Sequence, residues 1–194
     1  MPHSMTTVAI VYFSSTGNTK LMAEAIAEGA GTISDTTAQV FRITGEQITA
    51  GRWQDEAVIE ALNSADAIVI GSPTYMGGVA AQLKAFIDAA GAVWMSQGWK
   101  NKLAGGFTHS GSPSGDKQGT LLYLATNAAQ HGMIWVGAGE MSNPEEGVNR
   151  VGSFLGTMGY GSDTGKVDPG DIKSSHLYGQ RIAKATHAWS AEQL

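Results

Sequence analysis

Residues 6–19 read Thr6-Thr7-Val8-Ala9-Ile10-Val11-Tyr12-Phe13-Ser14-Ser15-Thr16-Gly17-Asn18-Thr19. Thr6–Tyr12 is a nearly continuous apolar run, without the alternation of a half-solvated strand. Such a run fits a strand covered on both faces. The polar loop Ser14–Thr19 follows at once. From Thr19 onward, Leu21, Met22, Ala25 and Ile26 recur at helical spacing, and the helix is expected to end near Gly29 or Gly31. Strand, hydroxyl-rich loop, helix is the unit that repeats along the chain.

Ala38–Ile43 fits a second strand and Asp55–Asn63 a helix. Asp66–Ile70, DAIVI, reads as a buried strand that stops at Gly71-Ser72-Pro73. Val79–Ala90 follows as a helix, with Val79, Leu83, Phe86, Ile87 and Ala90 on one face. Leu103–Thr108 is a strand that runs into a second Gly/Ser loop, His109–Lys117. Helix Thr120–Gln130 and strand Met133–Val136 come next. A last helix, Ser174–Trp189, carries Tyr178, Ile182, Ala185 and Trp189 on one stripe. Between Gly137 and Asp171 the periodicity disappears. Two readings are open for that excursion: a functional loop or oligomer contact, and a mobile surface segment. Alternation of strands and helices predicts an α/β fold, a parallel sheet with helices on both faces. A single domain over 1–194 is expected.

The composition excludes several classes. The chain has 194 residues, 42% of them apolar, which suits a globular core. Twelve Lys and Arg against seventeen Asp and Glu give a net charge of −5, the wrong sign for a nucleic-acid footprint. No run approaches the length of a membrane span. The first Lys or Arg is Lys20, so a signal peptide is not expected. Cysteine is absent, which excludes disulfides, thiolate catalysis and Cys-based metal sites. The histidines lack H-x-x-x-H spacing, so a metal site is not expected either. A cytoplasmic location is the simplest reading.

In an open parallel sheet, ligands bind in the crevice outside the carboxyl ends of the strands. Three loops there carry chemistry. Ser14–Thr19 opens a helix without a Lys or Arg of its own. A helix N-terminus attracts a phosphate through free N–H groups and partial positive charge, and Gly17 lets the backbone curl around it. The same residues also suit an ordinary helix cap. No G-x-G-x-x-G follows the first strand, and Gly165-Lys166 is followed by Val167, so Rossmann and Walker loops do not fit. Ser72–Gly78 places Tyr75 among hydroxyls and glycines, where it could stack on a flat ligand or pack on its own helix. Thr108–Lys117 offers backbone groups for the edge of a heterocycle, or a surface turn.

Ser14-Ser15-Thr16-Gly17-Asn18-Thr19 matches the flavodoxin-like FMN phosphate pattern [S/T]-x-T-G-x-T at every defined position. Pro73-Thr74-Tyr75-Met76-Gly77-Gly78, Phe86-Ile87-Asp88, Trp94, Lys102-Leu103-Ala104 through Gly111, Gln130-His131-Gly132-Met133 and Tyr178-Gly179 extend the likeness. In these segments the chain resembles the WrbA family of FMN-dependent NAD(P)H:quinone oxidoreductases. The resemblance implies a flavodoxin-like three-layer α/β/α sandwich with a five-stranded parallel sheet in the order 2-1-3-4-5. It implies FMN as cofactor, NAD(P)H as donor, a quinone as acceptor, and a homodimer or homotetramer. By the same resemblance, Ser14, Ser15, Thr16, Gly17, Asn18 and Thr19 hold the phosphate. Pro73, Thr74, Tyr75, Met76 and Gly77 flank the isoalloxazine. Thr108, His109, Ser110, Gly111, Ser112 and Pro113 line its pyrimidine side, and His131 and Trp94 wall the catalytic pocket. The chain departs from the family at Thr16, where tyrosine is common, and at His109 and Pro113-Ser114, where serine and glycines are favoured.

Two-electron, ping-pong reduction of a quinone is the leading expectation. A histidine beside the acceptor could donate a proton at neutral pH, while the flavin carries the hard chemistry. A flavodoxin-type one-electron carrier and an NAD(P)H-dependent free-flavin reductase stay open beside it.

Overall fold

The computed structural model describes residues 5–192. The ends of the expected 1–194 domain, residues 1–4 and 193–194, lie outside them. Thr6–Phe13 forms β1, and its side chains divide between the two faces of the sheet. Val8, Ile10 and Tyr12 join one apolar cluster, while Ala9, Val11 and Phe13 join the other. That is why the sequence shows no alternation: both faces of the strand are covered.

The remaining elements are α1 (Asn18–Gly31), β2 (Thr36–Ile43), a hairpin of β3 (Ile48–Thr49) and β4 (Arg52–Trp53), and α2 (Glu56–Ser64). They continue with β5 (Ala67–Tyr75), β6 (Gly78–Val79), α3 (Ala81–Ala89), α4 (Gly91–Ser96) and β7 (Leu103–Ser110). The chain ends in α5 (Lys117–Gln130), β8 (Ile134–Trp135), β9 (Thr157–Tyr160) and α6 (Pro169–Glu192). The main sheet runs β2-β1-β5-β7-β8, and these neighbours pair in parallel. This is the expected 2-1-3-4-5 order of the principal strands, with helices on both faces.

The fifth position in the sheet is shared. β8 pairs with Leu103 and Ala104 at the start of β7, and β9 pairs with Phe107–Ser110 at its end. The chain leaves the sheet after β8 and re-enters it at β9, so the irregular excursion contains half of an edge strand. Trp135 Nε1 donates to Leu155 O at 2.8 Å and ties the two halves together. Four residues, Thr-Met-Gly-Tyr, are too few to display a period, which is why β9 was not expected.

β5 does not stop at Gly71-Ser72-Pro73 as the sequence suggested. It continues to Tyr75 because β7 pairs with it from Ala67 through Pro73. The sheet overrides the local breaker signal of Gly and Pro. Pro73 stands at the end of this pairing, where its missing N–H costs least.

α1 and α6 cover one face. Their backbones approach closely at two glycines: a Cβ on Gly29 would lie 1.9 Å from His176 O, and one on Gly179 would lie 2.0 Å from Ile26 O. The other face is covered by α2, α3 and α5, with Leu62, Leu83, Phe86, Leu121 and Leu124 fully buried. Trp53 meets Phe86 edge-on at 5.1 Å, so the small hairpin closes the end of this layer. Side chains of this size contribute about 1.5–3 kcal/mol each when fully buried.

Candidate active site

The parallel topology brings the loops after β1, β5 and β7 to one edge of the sheet. The first loop is shaped by Ser14 and Gly17. Ser14 is buried, its Oγ accepts the Gly17 N–H at 3.1 Å, and its carbonyl accepts Arg42 Nη2 at 2.9 Å. Gly17 adopts φ +90°, a conformation that an L side chain resists. α1 then begins without a side-chain cap and without an acidic residue in its first turn. Its first helical bond is from Leu21 N to Gly17 O at 3.1 Å. The N–H groups of Asn18, Thr19 and Lys20 are therefore left to an outside acceptor. An uncapped helix start inside a hydroxyl loop is a cradle for a phosphate, and the residues present fit that group.

Asn18 has another task. Its Nδ2 donates to Asp163 O at 2.9 Å, and its Oδ1 accepts Gly165 N at 2.8 Å and Lys166 N at 3.3 Å. Gly165 N also donates to Thr16 O at 2.8 Å. The side chain expected on the phosphate is thus spent on the far end of the excursion, leaving only its backbone N–H for a ligand.

The second loop is a hairpin between β5 and β6, with Thr74 opposite Val79 and Tyr75 opposite Gly78. Its two central residues, Met76 at φ +48° and Gly77 at φ +77°, are both left-handed, as in a primed turn. Methionine resists that conformation, so the turn holds strain at the rim of the cleft, with Met76 fully exposed. The Tyr75 hydroxyl hydrogen-bonds Ser15 Oγ and links the first loop to the second. Thr74 Oγ1 meets Thr108 Oγ1 at 2.8 Å and Thr120 Oγ1 at 2.7 Å, a buried chain of hydroxyls. The Thr74 and Thr108 hydroxyls therefore brace the loops on each other and on α5. Ser72 Oγ accepts Ala80 N at 2.9 Å and donates to Pro73 O at 2.8 Å, fixing the shape of the strand end from inside.

The third loop curls around a buried lysine that the sequence did not single out. Lys117 Nζ donates to Ser110 Oγ at 2.8 Å and to the carbonyls of Ser112, Pro113 and Ser114 at 3.1, 2.7 and 2.9 Å. Ser110 Oγ in turn donates to Ser112 O at 2.8 Å. His109 is buried between Pro73 and Gly159 on the neighbouring strands, and its Nε2 has no hydrogen-bond partner. Burial pushes its pKa down to about 4; the Asp171 carboxylate opposes this, and Lys117 and Arg150 add to it. His109 is therefore neutral at pH 7 and shaped by packing.

Beside this loop stands a charged assembly from the excursion. Arg150 grips Asp171 with two bonds of 2.8 and 2.7 Å and also donates to Tyr160 O at 2.9 Å. Its guanidinium lies 3.7 Å from the Tyr160 ring centroid. A cavity of about 500 Å³, lined in part by Pro113, Lys117, Arg150 and Tyr160, opens on that side of the third loop. No period or motif announces these residues: the acceptors of Lys117 are main-chain carbonyls and a serine of its own loop, and the partners of Arg150 lie 10 and 21 positions away.

Trp94 and His131 are not brought to the three loops within the chain. α5 starts at the third loop and runs back along the sheet for fourteen residues, about 20 Å. His131 follows its end, beside the start of β7. There its ring stacks on Trp99 at 4.5 Å, it is 2% exposed, and its Nδ1 has no partner. Burial lowers its pKa. Trp94 lies on α4, after α3 has also returned from the cleft to the amino end of the sheet, and it is 41% exposed. The sequence cannot show this, since the direction of each returning helix is a property of the fold.

Fold and site together define a WrbA-like protein of flavodoxin fold. Residues 6–146 match the model of the NADPH-dependent FMN reductase family, and the chain belongs to that family. It is similar to the protein named Flavodoxin FldP of Pseudomonas aeruginosa, with 35% identity over 93% of this chain and 96% of that one. Quinone-oxidoreductase QR2 of Triphysaria versicolor is 33% identical over 90% of this chain and 91% of its own. Among solved structures, the WrbA-like flavodoxin from Agrobacterium tumefaciens superposes with a TM-score of 0.76 at 37% identity, covering 94% of this chain and 98% of that chain.

Proposed function

We propose that this protein is an FMN-dependent oxidoreductase that passes two electrons from NAD(P)H to a quinone. The observation that carries the reading is the uncapped start of α1 in a loop of hydroxyls, facing two further loops at the same sheet edge. When bound, FMN supplies the electron-transfer chemistry between a nicotinamide donor and the acceptor. The family match and relatives named NAD(P)H dehydrogenase (quinone) support this activity.

Within that reading, Ser14, Ser15, Thr16, Gly17 and Thr19 would hold the phosphate with the N–H groups at the start of α1. Tyr75 would lie against the ring system, and residues 108–113 would line its pyrimidine edge. The third loop contributes no Phe, Tyr or Trp of its own. One flavin face is then open to donor and acceptor in turn, which favours an enzyme over a carrier that encloses its flavin between two aromatics. We also propose a homodimer or homotetramer. Trp94, exposed on α4, then reaches a flavin only from a second copy. His131 has to leave its stack on Trp99 to act there. We also propose a cytoplasmic location; no helix among the described residues is long and apolar enough to cross a membrane.

The test is an anaerobic titration of FMN-loaded protein with NADPH and, separately, NADH, followed by the flavin spectrum. Rapid bleaching by one donor, reversed by a quinone, is the expected result and names the donor. Bleaching only by a chemical reductant would overturn the reading in favour of a carrier fed by a protein partner. Light scattering tests the assembly; a monomeric mass would refute it.

A further inference from the structure

Lys117 is the first residue of α5, and it is 1% exposed. A buried ammonium without a counter-ion is costly, so its surroundings must compensate with dipoles. Among the described residues no carboxylate forms a salt bridge with it; Asp171, which acts on it through space, is held by Arg150. Compensation comes from Ser110 Oγ and three consecutive carbonyls, those of Ser112, Pro113 and Ser114. The Tyr160 ring adds a weaker contact, its centroid 5.7 Å from Nζ.

This arrangement has two consequences. A trans peptide points its C=O and the following N–H in opposite directions. Drawing the Pro113 and Ser114 carbonyls in toward Nζ therefore turns the N–H groups of Ser114 and Gly115 away from it. The loop keeps one shape, with its acceptors gathered inside. The second consequence is electrostatic. Two electrons and one proton entering a bound FMN leave it with one additional negative charge. A fixed cation under the loop beside it favours that state. For scale, a unit charge acting over roughly 10–15 Å through an effective dielectric of about 20 would change such an equilibrium by about an order of magnitude.

We propose that Lys117 is a positioning residue of the flavin site: its ammonium gathers the 110–114 loop and makes the pocket bind reduced FMN more tightly than oxidised FMN. The inference rests on the FMN reading above. Burial lowers the lysine pKa to about 8, which leaves it charged at neutral pH. The groups that face it are Asp171 from α6, Arg150 from the excursion, Tyr160 from β9 and Ser110 from β7; of these only Asp171 is a carboxylate.

The test compares wild type with Lys117→Gln, which keeps a donor but removes the charge, and Lys117→Met, which removes both. Three quantities are measured: oxidised-FMN affinity of the apoprotein, the two-electron midpoint potential of bound FMN, and amide exchange of residues 110–116 in the apoprotein. Lys117→Gln is expected to hold oxidised FMN within about threefold of wild type while the preference for reduced FMN falls about tenfold, a midpoint about 30 mV more negative. Lys117→Met is expected to add faster exchange across 110–116 and weaker binding of both forms. An unchanged potential in Lys117→Gln overturns the electrostatic role, since a purely structural pin would not move it. Unchanged exchange in Lys117→Met overturns the positioning role. Wild-type protein that binds no FMN defeats the functional reading itself, and this proposal with it.

Discussion

Asn18 and Gly165 lie 147 positions apart, and Asn18 Oδ1 accepts the Gly165 N–H at 2.8 Å. The bond fastens the end of the excursion to the loop that opens α1. With Asp163 O and Lys166 N, one side chain holds three backbone groups of the strap. Asn18→Ala is expected to cost about 1–2 kcal/mol, since each net hydrogen bond contributes about 0.5–1.5 kcal/mol. Gly165 N keeps its bond to Thr16 O in this variant. In a domain of this size the loss lowers Tm by about 3–6 °C. Thermal unfolding of the apoprotein checks it, and an unchanged Tm would show that other contacts hold the strap.

Gly17 stands at φ +90° beside the same strap, where a Cβ would lie 3.4 Å from Gly165 Cα. Gly17→Ala is expected to destabilise the protein by about 1–2 kcal/mol through the left-handed backbone. It should also weaken FMN binding by tenfold or more, because the N–H groups at the start of α1 shift. Fluorescence titration of the apoprotein with FMN measures this; wild-type affinity would remove Gly17 from the phosphate site.

Arg150 and Asp171 form an ion pair in which the carboxylate is 1% and the guanidinium 20% exposed. Arg150→Met leaves that carboxylate with only the Tyr160 N–H, at 3.1 Å, among its described partners besides Arg150. Removing one partner of a buried pair costs about 3–5 kcal/mol. Adding Asp171→Asn to Arg150→Met should recover a large part of the loss. Urea unfolding of the single and double variants decides it, and additive losses would refute the coupling.

His109 makes stability sensitive to acid. Its pKa falls from the ordinary 6.5 to about 4 on folding, chiefly by burial. The unfolded chain takes up a proton below 6.5 while the folded chain resists until about 4. The stability this gives is complete above pH 6.5 and is lost as pH falls through that window, roughly 3 kcal/mol in all. His109→Gln should flatten the slope. Urea unfolding at pH 7 and pH 4.5 compares the two proteins; equal losses would sink the assignment.

The local signals in the sequence were strong where burial is continuous or periodic and where a cap marks a helix start. β1 is an apolar run, α2 begins at Asp55, whose carboxylate caps Val58 N at 3.2 Å, and α3 shows its buried face. The loop that opens α1 was legible because its geometry is local: serine, glycine and a helix start within six residues. The β3–β4 hairpin and β9 were not legible, being two to four residues long. The end of β5 was misread because its continuation depends on β7 alongside it.

The sequence by itself determined the class of fold and the loop that opens α1, since both follow from short-range pattern and turn chemistry. Only the tertiary structure decided which side chains share the cleft. It gave Asn18 to the excursion, paired Arg150 with Asp171 beside the third loop, and carried Trp94 and His131 to the opposite end of the sheet. The physical reason is directional. A loop's residue types can be read along the chain, but which of them a distant segment engages, as residues 163–166 engage Asn18, depends on strands and helices that meet only in three dimensions.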